Sequence, residues 1–189
     1  MAAAERLVLE NGLSGTRIDE ICREAGATKG SFYHHFESKQ HMALALLEGF
    51  FERVAAALSG GDWHTRESPV DRLDGFFEHA EQVASSELFS RGCLLGTMTF
   101  DLARSDDALR KRLATCFEAV IDLVKPLVAD ALVAGGASKS VVRRQAERHA
   151  RLFVAALEGG IVLGRASGAA GASAAAIADL RDLVIGSLR

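Results

Sequence analysis

The sequence predicts an all-α protein, with a compact N-terminal group of short helices, a long fourth helix leading out of it, and a bundle of longer helices behind. Three observations carry this. Only 2 prolines interrupt 189 residues, and valine and isoleucine never alternate with period two, so strand patterning is missing while helix is scarcely broken. Alanine, leucine, arginine and glutamate are abundant, and these residues favour helix. Glycines and short hydroxyl side chains recur where helices would end and begin.

The first helix is expected from Ala2 to Asn11, carrying Leu7 and Leu9, and to stop at Asn11-Gly12, where glycine suits the left-handed position after a helix. Thr16 can cap a second helix, Arg17 to about Ala25, with Asp19 near the positive end of its dipole. Gly26 ends that helix, and Thr28 offers a cap for a short third one, Lys29 to about His35. Ser38 does the same for a fourth, which continues through Met42, Leu47, Phe50 and Val54 to about Leu58. Ser59-Gly60-Gly61-Asp62 then breaks the pattern. Longer helices are expected over Pro69 to Ser86, Cys93 to Arg104, Asp106 to Ala134, Ser138 to about Ser167 and Ala174 to Leu188. Pro69 falls in a first turn, where its missing N–H costs nothing. Pro126 lies inside a helix and should kink or split it. The Ala/Gly/Ser tract 166–176 reads as a tight connection between packed helices. Residues 1–47 form the expected head, with helix four continuing to about 58, and residues 48–189 the expected second domain.

The balance of 22 Lys and Arg against 25 Asp and Glu, a net charge of −3, argues against a protein that coats nucleic acid or an anionic membrane with its whole surface. Any contact with DNA is therefore local. No apolar stretch reaches the roughly 18 residues that span a bilayer, and no basic segment followed by an apolar run opens the chain. The cytoplasm is the expected location, without a membrane partner. Cys22, Cys93 and Cys116 stand far apart with no CxxC pair, so neither a disulfide framework nor a zinc site is expected. The motifs of enzymes are missing too: there is no GxSxG elbow, no P-loop and no HExxH. No catalytic residue and no cofactor is assigned.

The informative stretch is Thr16 to Phe36. Two helices joined by about three residues can cross steeply only if the turn residue tolerates an unusual backbone and the touching side chains are small. Ile18 and Ile21 are placed to face inward, Cys22 and Ala25 to lie at the crossing, Gly26 to make the turn, and Phe32 to plug the core from the third helix. That leaves Thr28, Lys29, Ser31, Tyr33 and His34 to point outward from a short helix. All are basic or hydrogen-bonding types, and a helix of that width fits the major groove of B-DNA. Residues 1–58 hold six Lys/Arg and eight Asp/Glu, an unusual balance for a DNA-binding head. No acid falls between positions 25 and 36, however.

The run Gly26-Ala27-Thr28-Lys29-Gly30-Ser31-Phe32-Tyr33-His34-His35-Phe36-Glu37-Ser38-Lys39 resembles the signature of the TetR family of transcriptional regulators, and the match extends from Gly12 to about Leu47. The resemblance implies a three-helix helix-turn-helix head, joined through a long fourth helix to a C-terminal helical bundle that binds ligand and dimerises. It implies that Tyr33 and Lys39 hold phosphates of double-stranded operator DNA. Thr16 and Arg17, at the start of the second helix, are placed to do the same. Thr28, Lys29, Ser31 and His34 would read base edges, while Gly30 would let the helix approach the groove closely. Family members usually carry a basic arm before the first helix; Met1 falls where that helix is already under way, so no arm contact is predicted.

One head touches few base pairs, so a two-fold dimer is expected. Leu152, Ala155, Ala156, Gly159, Gly160, Leu163 and Gly164 give a small-residue surface, and Ile177, Leu180, Leu183 and Val184 an apolar stripe, as in a bundle made by two subunits. Phe76, Phe77, Met98, Phe100, Phe117 and Phe153 are candidate lining for a small apolar or aromatic effector. Bound effector would shift helix four and spoil the match of two heads to successive major grooves, about 34 Å apart. Cys93 adds an alternative. Arg91-Gly92-Cys93-Leu94-Leu95-Gly96 is similar to a segment in a branch of the family that responds to electrophiles, and a helix N-terminus lowers a thiol's pKa. A relative that binds ligand but no longer DNA is the other alternative.

Overall fold

A computed structural model of the chain describes residues 1–102 and 106–188. Among them it is all-α: α1 (Ala2–Gly15), α2 (Ile18–Glu24), α3 (Lys29–His35), α4 (Lys39–Ser59), α5 (Pro69–Ala84), α6 (Leu94–Leu102), α7 (Asp107–Ala134), α8 (Lys139–Ser167) and α9 (Ala172–Gly186), with one 3-10 turn at Trp63–Thr65. No described helix is long and apolar enough to cross a membrane.

Local chemistry accounts for most of the boundaries. The Thr28 hydroxyl accepts the Ser31 N–H at the start of α3, and Ser38 accepts the His41 N–H at 3.1 Å at the start of α4. Ser68 caps α5 through the Asp71 N–H, just ahead of Pro69. After α7 the chain turns through Gly136, at φ 78°, with Ala137 N–H bonded to Leu132 O and Gly136 N–H to Val133 O; this pair of bonds satisfies carbonyls that a helix end otherwise leaves bare. The tract 166–176 is a short turn between α8 and α9, made by Gly168 and Gly171 at positive φ.

The first helix breaks at Gly12, as expected, at φ 72°, ψ 165°, but the chain then resumes a helical turn to Gly15. Two expectations need correction. Thr16 does not cap α2, whose cap is Arg17; the Glu20 carboxylate accepts the Arg17 N–H there. Pro126 does not split α7, which runs unbroken past it. Buried Val124 and Val128 flank the proline, and their packing outweighs the lost backbone bond, which costs about 3 kcal/mol in a helix interior. The expected end of the sixth helix at Arg104 lies outside the described residues.

Two compact units share the chain, and neither is continuous in sequence. The first comprises Met1–Val54 and Arg91–Cys116, the second Ala55–Ser90 and Phe117–Arg189. In the first, Leu7, Val8, Leu13, Ile21, Phe32, Met42, Leu46 and Phe50 are buried together with Leu94, Met98, Leu109 and Leu113 of the later segment. Ion pairs Arg91–Glu10 and Arg112–Glu48 join that segment to the head. In the second unit α9 packs on α8 and α5. Its core holds Leu73, Phe76, Phe77, Val128, Phe153, Ile177 and Val184, each such apolar side chain contributing about 1.5–3 kcal/mol on full burial.

Candidate nucleic-acid interface

The site begins with the turn between α2 and α3. Gly26, at φ 61°, lets Ala27 N–H reach Cys22 O at 2.9 Å and Gly26 N–H reach Arg23 O at 3.3 Å, closing α2 in one residue. A Cβ-bearing residue would be strained at that φ. Ile21, Cys22 and Phe32 are buried as the pattern requires. Ile18 is only half-buried, and Ala25 is exposed, so the crossing uses Cys22 alone of the two small residues expected there. The Phe32 ring meets Tyr33 edge-on at 5.3 Å and Phe36 at 5.5 Å.

This packing leaves Arg17, Thr28, Lys29, Gly30, Ser31, Tyr33 and His34 exposed, with Tyr33 55% accessible. A Cβ at Gly30 would meet only Thr28 Oγ1, at 3.6 Å, so the chain's own packing does not call for glycine there. Two residues of the expected set behave differently. Thr16 is fully buried and donates its hydroxyl to Gly12 O at 2.6 Å; its side chain is spent inside the head rather than offered to phosphate. The half-buried Lys39 donates its ammonium to Thr16 O at 2.7 Å and Ser14 O at 3.5 Å. These bonds fasten the turn between α1 and α2.

Electrostatics adds a partner that sequence order hides. Lys29 Nζ lies 2.8 Å from Asp19 Oδ1, and hydrogen bonding to Asp19, then its charge, raises the Lys29 pKa. The exposed face of α3 thus carries a carboxylate borrowed from α2. Arg6, paired with Glu10 and Glu24, is also held further towards its charged form by them.

The candidate effector residues separate. Phe76, Phe77 and Phe153 converge in the second unit, fully buried, with centroids 5.4 to 6.1 Å apart; Trp63 meets Phe76 edge-on at 5.5 Å. Phe117 of that unit is half-buried. Cys93 and Met98 are buried in the first unit, but Phe100 there is 82% exposed and lines no interior. It stands two residues, about 200°, round the helix from Met98. A cavity of about 480 Å³, bounded by Leu132, Val141, Gln145, His149 and Leu183, was not anticipated. Burial lowers the His149 pKa there, with Arg148 adding to the effect. Its lining is drawn from three helices, so no local pattern marks it in the sequence.

The expected dimer surface also divides. Ile177, Leu180, Val184 and Gly160 are buried within the unit, because α9 turns its apolar stripe towards α8 and α5. A Cβ at Gly160 would lie 2.4 Å from Ser173 Cα, and one at Gly164 3.0 Å from Ala169 O. Ala156 and Gly164 are half-buried. Leu152, Ala155, Gly159 and Leu163 remain exposed along one face of α8, as does Leu183 on α9.

Comparison with known proteins agrees with this architecture. Residues 1–46 match the family described as bacterial regulatory proteins, tetR family, and residues 69–176 the domain described as transcriptional regulator LmrA/YxaF-like, C-terminal domain. The HTH-type transcriptional repressor DhaR of Mycobacterium sp. is 30% identical over 162 residues, 76% of this chain and 79% of that one. The transcriptional regulator AcuR of Cereibacter sphaeroides is 34% identical over 109 residues, 58% of this chain and 50% of that protein. A TetR transcriptional regulator from Chloroflexus aurantiacus has a crystal structure that superposes with a TM-score of 0.77 at 27% identity, covering 95% of this chain and 89% of its own. A head of this geometry, matched in sequence, followed by a matched C-terminal domain over more than half the chain, makes the protein a member of the TetR family of bacterial transcriptional regulators.

Proposed function

We propose that this chain is a cytoplasmic repressor that binds palindromic double-stranded operator DNA as a homodimer and is released by a small apolar or aromatic effector. Residues 1–47 serve as the DNA-binding domain and 48–189 as the ligand-binding and dimerisation domain. The observation that carries the reading is the exposed face of α3, where Thr28, Lys29, Ser31, Tyr33 and His34 face solvent while Phe32 anchors the helix. Tyr33 and Arg17 hold phosphates, and Lys29, Ser31 and His34 meet base edges. Lys39, already bonded to two carbonyls of the turn it fastens, keeps a third N–H with which to meet phosphate. Gly30 brings the backbone close to the groove, which fits the lack of any internal reason for glycine there.

The dimer forms through Leu152, Ala155, Gly159, Leu163 and Leu183, a strip of small and apolar side chains left uncovered that admits close helix approach. Effector binding in the second domain is a reading that membership of this regulator family supports. The test is selection of bound fragments from random duplex DNA. Two half-sites spaced by about one helical turn, or a multiple of it, are expected. Tyr33→Ala should weaken binding to the recovered fragment by about tenfold or more while leaving the oligomeric state unchanged. Unaltered affinity would refute the α3 reading.

A further inference from the structure

Gly12 interrupts α1 at φ 72°, ψ 165°, a backbone region open to glycine almost alone. The helical turn that follows begins with amides that lack an intrahelical partner. No local side chain caps it. Instead Asp101 of α6, 87 positions away, places Oδ2 where it accepts the Ser14 N–H at 2.6 Å. The same oxygen sits 3.1 Å from where a Cβ on Gly12 would be, so the glycine both allows the break and admits the carboxylate.

The rest of this turn is held from two further directions. Thr16 donates its hydroxyl to Gly12 O, and Lys39 donates to Thr16 O and Ser14 O. All of the polar groups between Gly12 and Thr16 that these bonds engage lie immediately before Arg17, the exposed cap of α2. A carboxylate in a head that must approach polyanionic DNA carries an electrostatic cost. Its use as a backbone acceptor accounts for its presence.

We propose that Asp101 is a positioning residue for DNA binding: by capping the broken end of α1 from α6, it fixes the α1–α2 turn that presents the exposed Arg17 side chain to a phosphate. This rests on the DNA-binding reading above and adds to it a residue outside the sequence of the head. It also gives the 91–116 segment a specific task within the first unit, beyond filling its core.

The experiment compares Asp101→Leu, Asp101→Ala and Asp101→Asn in the full chain, using the fragment selected by wild-type protein and amide exchange at Ser14. Asparagine retains an oxygen that can accept the Ser14 N–H; leucine and alanine do not. Asp101→Asn should bind within about threefold of wild type and keep Ser14 protected, whereas Asp101→Leu should lose about tenfold or more and expose that amide. Asp101→Ala repeats the comparison if leucine does not fold. A merely structural loss would lower the unfolding midpoint and raise exchange throughout the first unit, and that pattern overturns the proposal. So does unchanged affinity with Ser14 exposed, or equal losses for asparagine and leucine. Wild-type protein that selects no DNA would instead bring down the DNA-binding reading itself, while Ser14 exchange still reports on the cap.

Discussion

At Lys29 two anions compete for one ammonium. Its salt bridge to Asp19 is exposed on both sides, so it contributes little stability, yet it places negative charge on the surface proposed to meet phosphate. Asp19→Asn should therefore leave the unfolding midpoint almost unchanged and raise affinity for duplex DNA by about three- to tenfold at low ionic strength, the gain fading as salt screens it. Titration at several salt concentrations checks this, and weaker binding would instead mean that Asp19 orients Lys29 for its contact. Lys39 shows why residue types alone mislead. Its bonds to Ser14 O and Thr16 O make Lys39→Ala a change to the head's architecture as well as to its charge, so Tyr33 is the cleaner probe.

Among the elements, α3 was fully legible because its signals are local: a threonine cap, a glycine turn and one phenylalanine facing in. The break in α1 was only half legible. Gly12 marks it, but the acceptor that makes the resumed turn worthwhile is Asp101, 87 residues on, beyond any local pattern. The dimer strip failed in another way, since small and apolar residues suit an interface and an intrachain packing face equally well. Gly159 and Gly160 now separate the two. Gly160→Ala pushes a methyl into Ser173 and should cost about 1–3 kcal/mol; Gly159→Ala meets nothing within 4 Å of its own chain and should add about 0.5–1 kcal/mol to the monomer while disturbing dimerisation. Thermal unfolding and sedimentation of the pair decide it. On the same helix, burial disfavours charged His149, so the unfolded chain takes up that proton more readily. The corresponding stability is whole above the ordinary histidine value near 6.5 and is lost as pH falls through it towards the lower folded value. The unfolding midpoint should drop on acidification across that window, and His149→Gln should flatten the drop.

For the molecule as a whole, the sequence supports the all-helical class and the end of α4 at Ser59, while the first compact segment ends earlier, at Val54. It does not disclose that Arg91–Cys116 folds with the N-terminal segment, because long-range burial of Leu94, Met98 and Leu113 leaves no mark distinct from any other amphipathic helix. Assembly is tested at this scale. Leu163 and Leu183 are 66% and 74% exposed, and covering them would remove the most accessible leucines of the second unit. Leu163→Glu should convert dimer to monomer in sedimentation and lower operator affinity by about tenfold or more, since each head then binds without the effective concentration supplied by its twin. A dimer that survives this change would place the interface elsewhere.

The interleaving of Met1–Val54 with Arg91–Cys116 also bears on how such regulators can be recombined. A builder of hybrid sensors who cuts the chain after Leu58 and grafts the front onto a foreign body takes the reading head without the plank that completes its floor. Phe50 and Leu46 would then meet whatever the new body offers, and Ser14 would lose its acceptor. A graft that also carries residues 91–116, or a body supplying an equivalent acidic helix, keeps the front intact. The practical unit of exchange is defined by shared burial and one long-range cap, and it does not coincide with any single cut in the polypeptide.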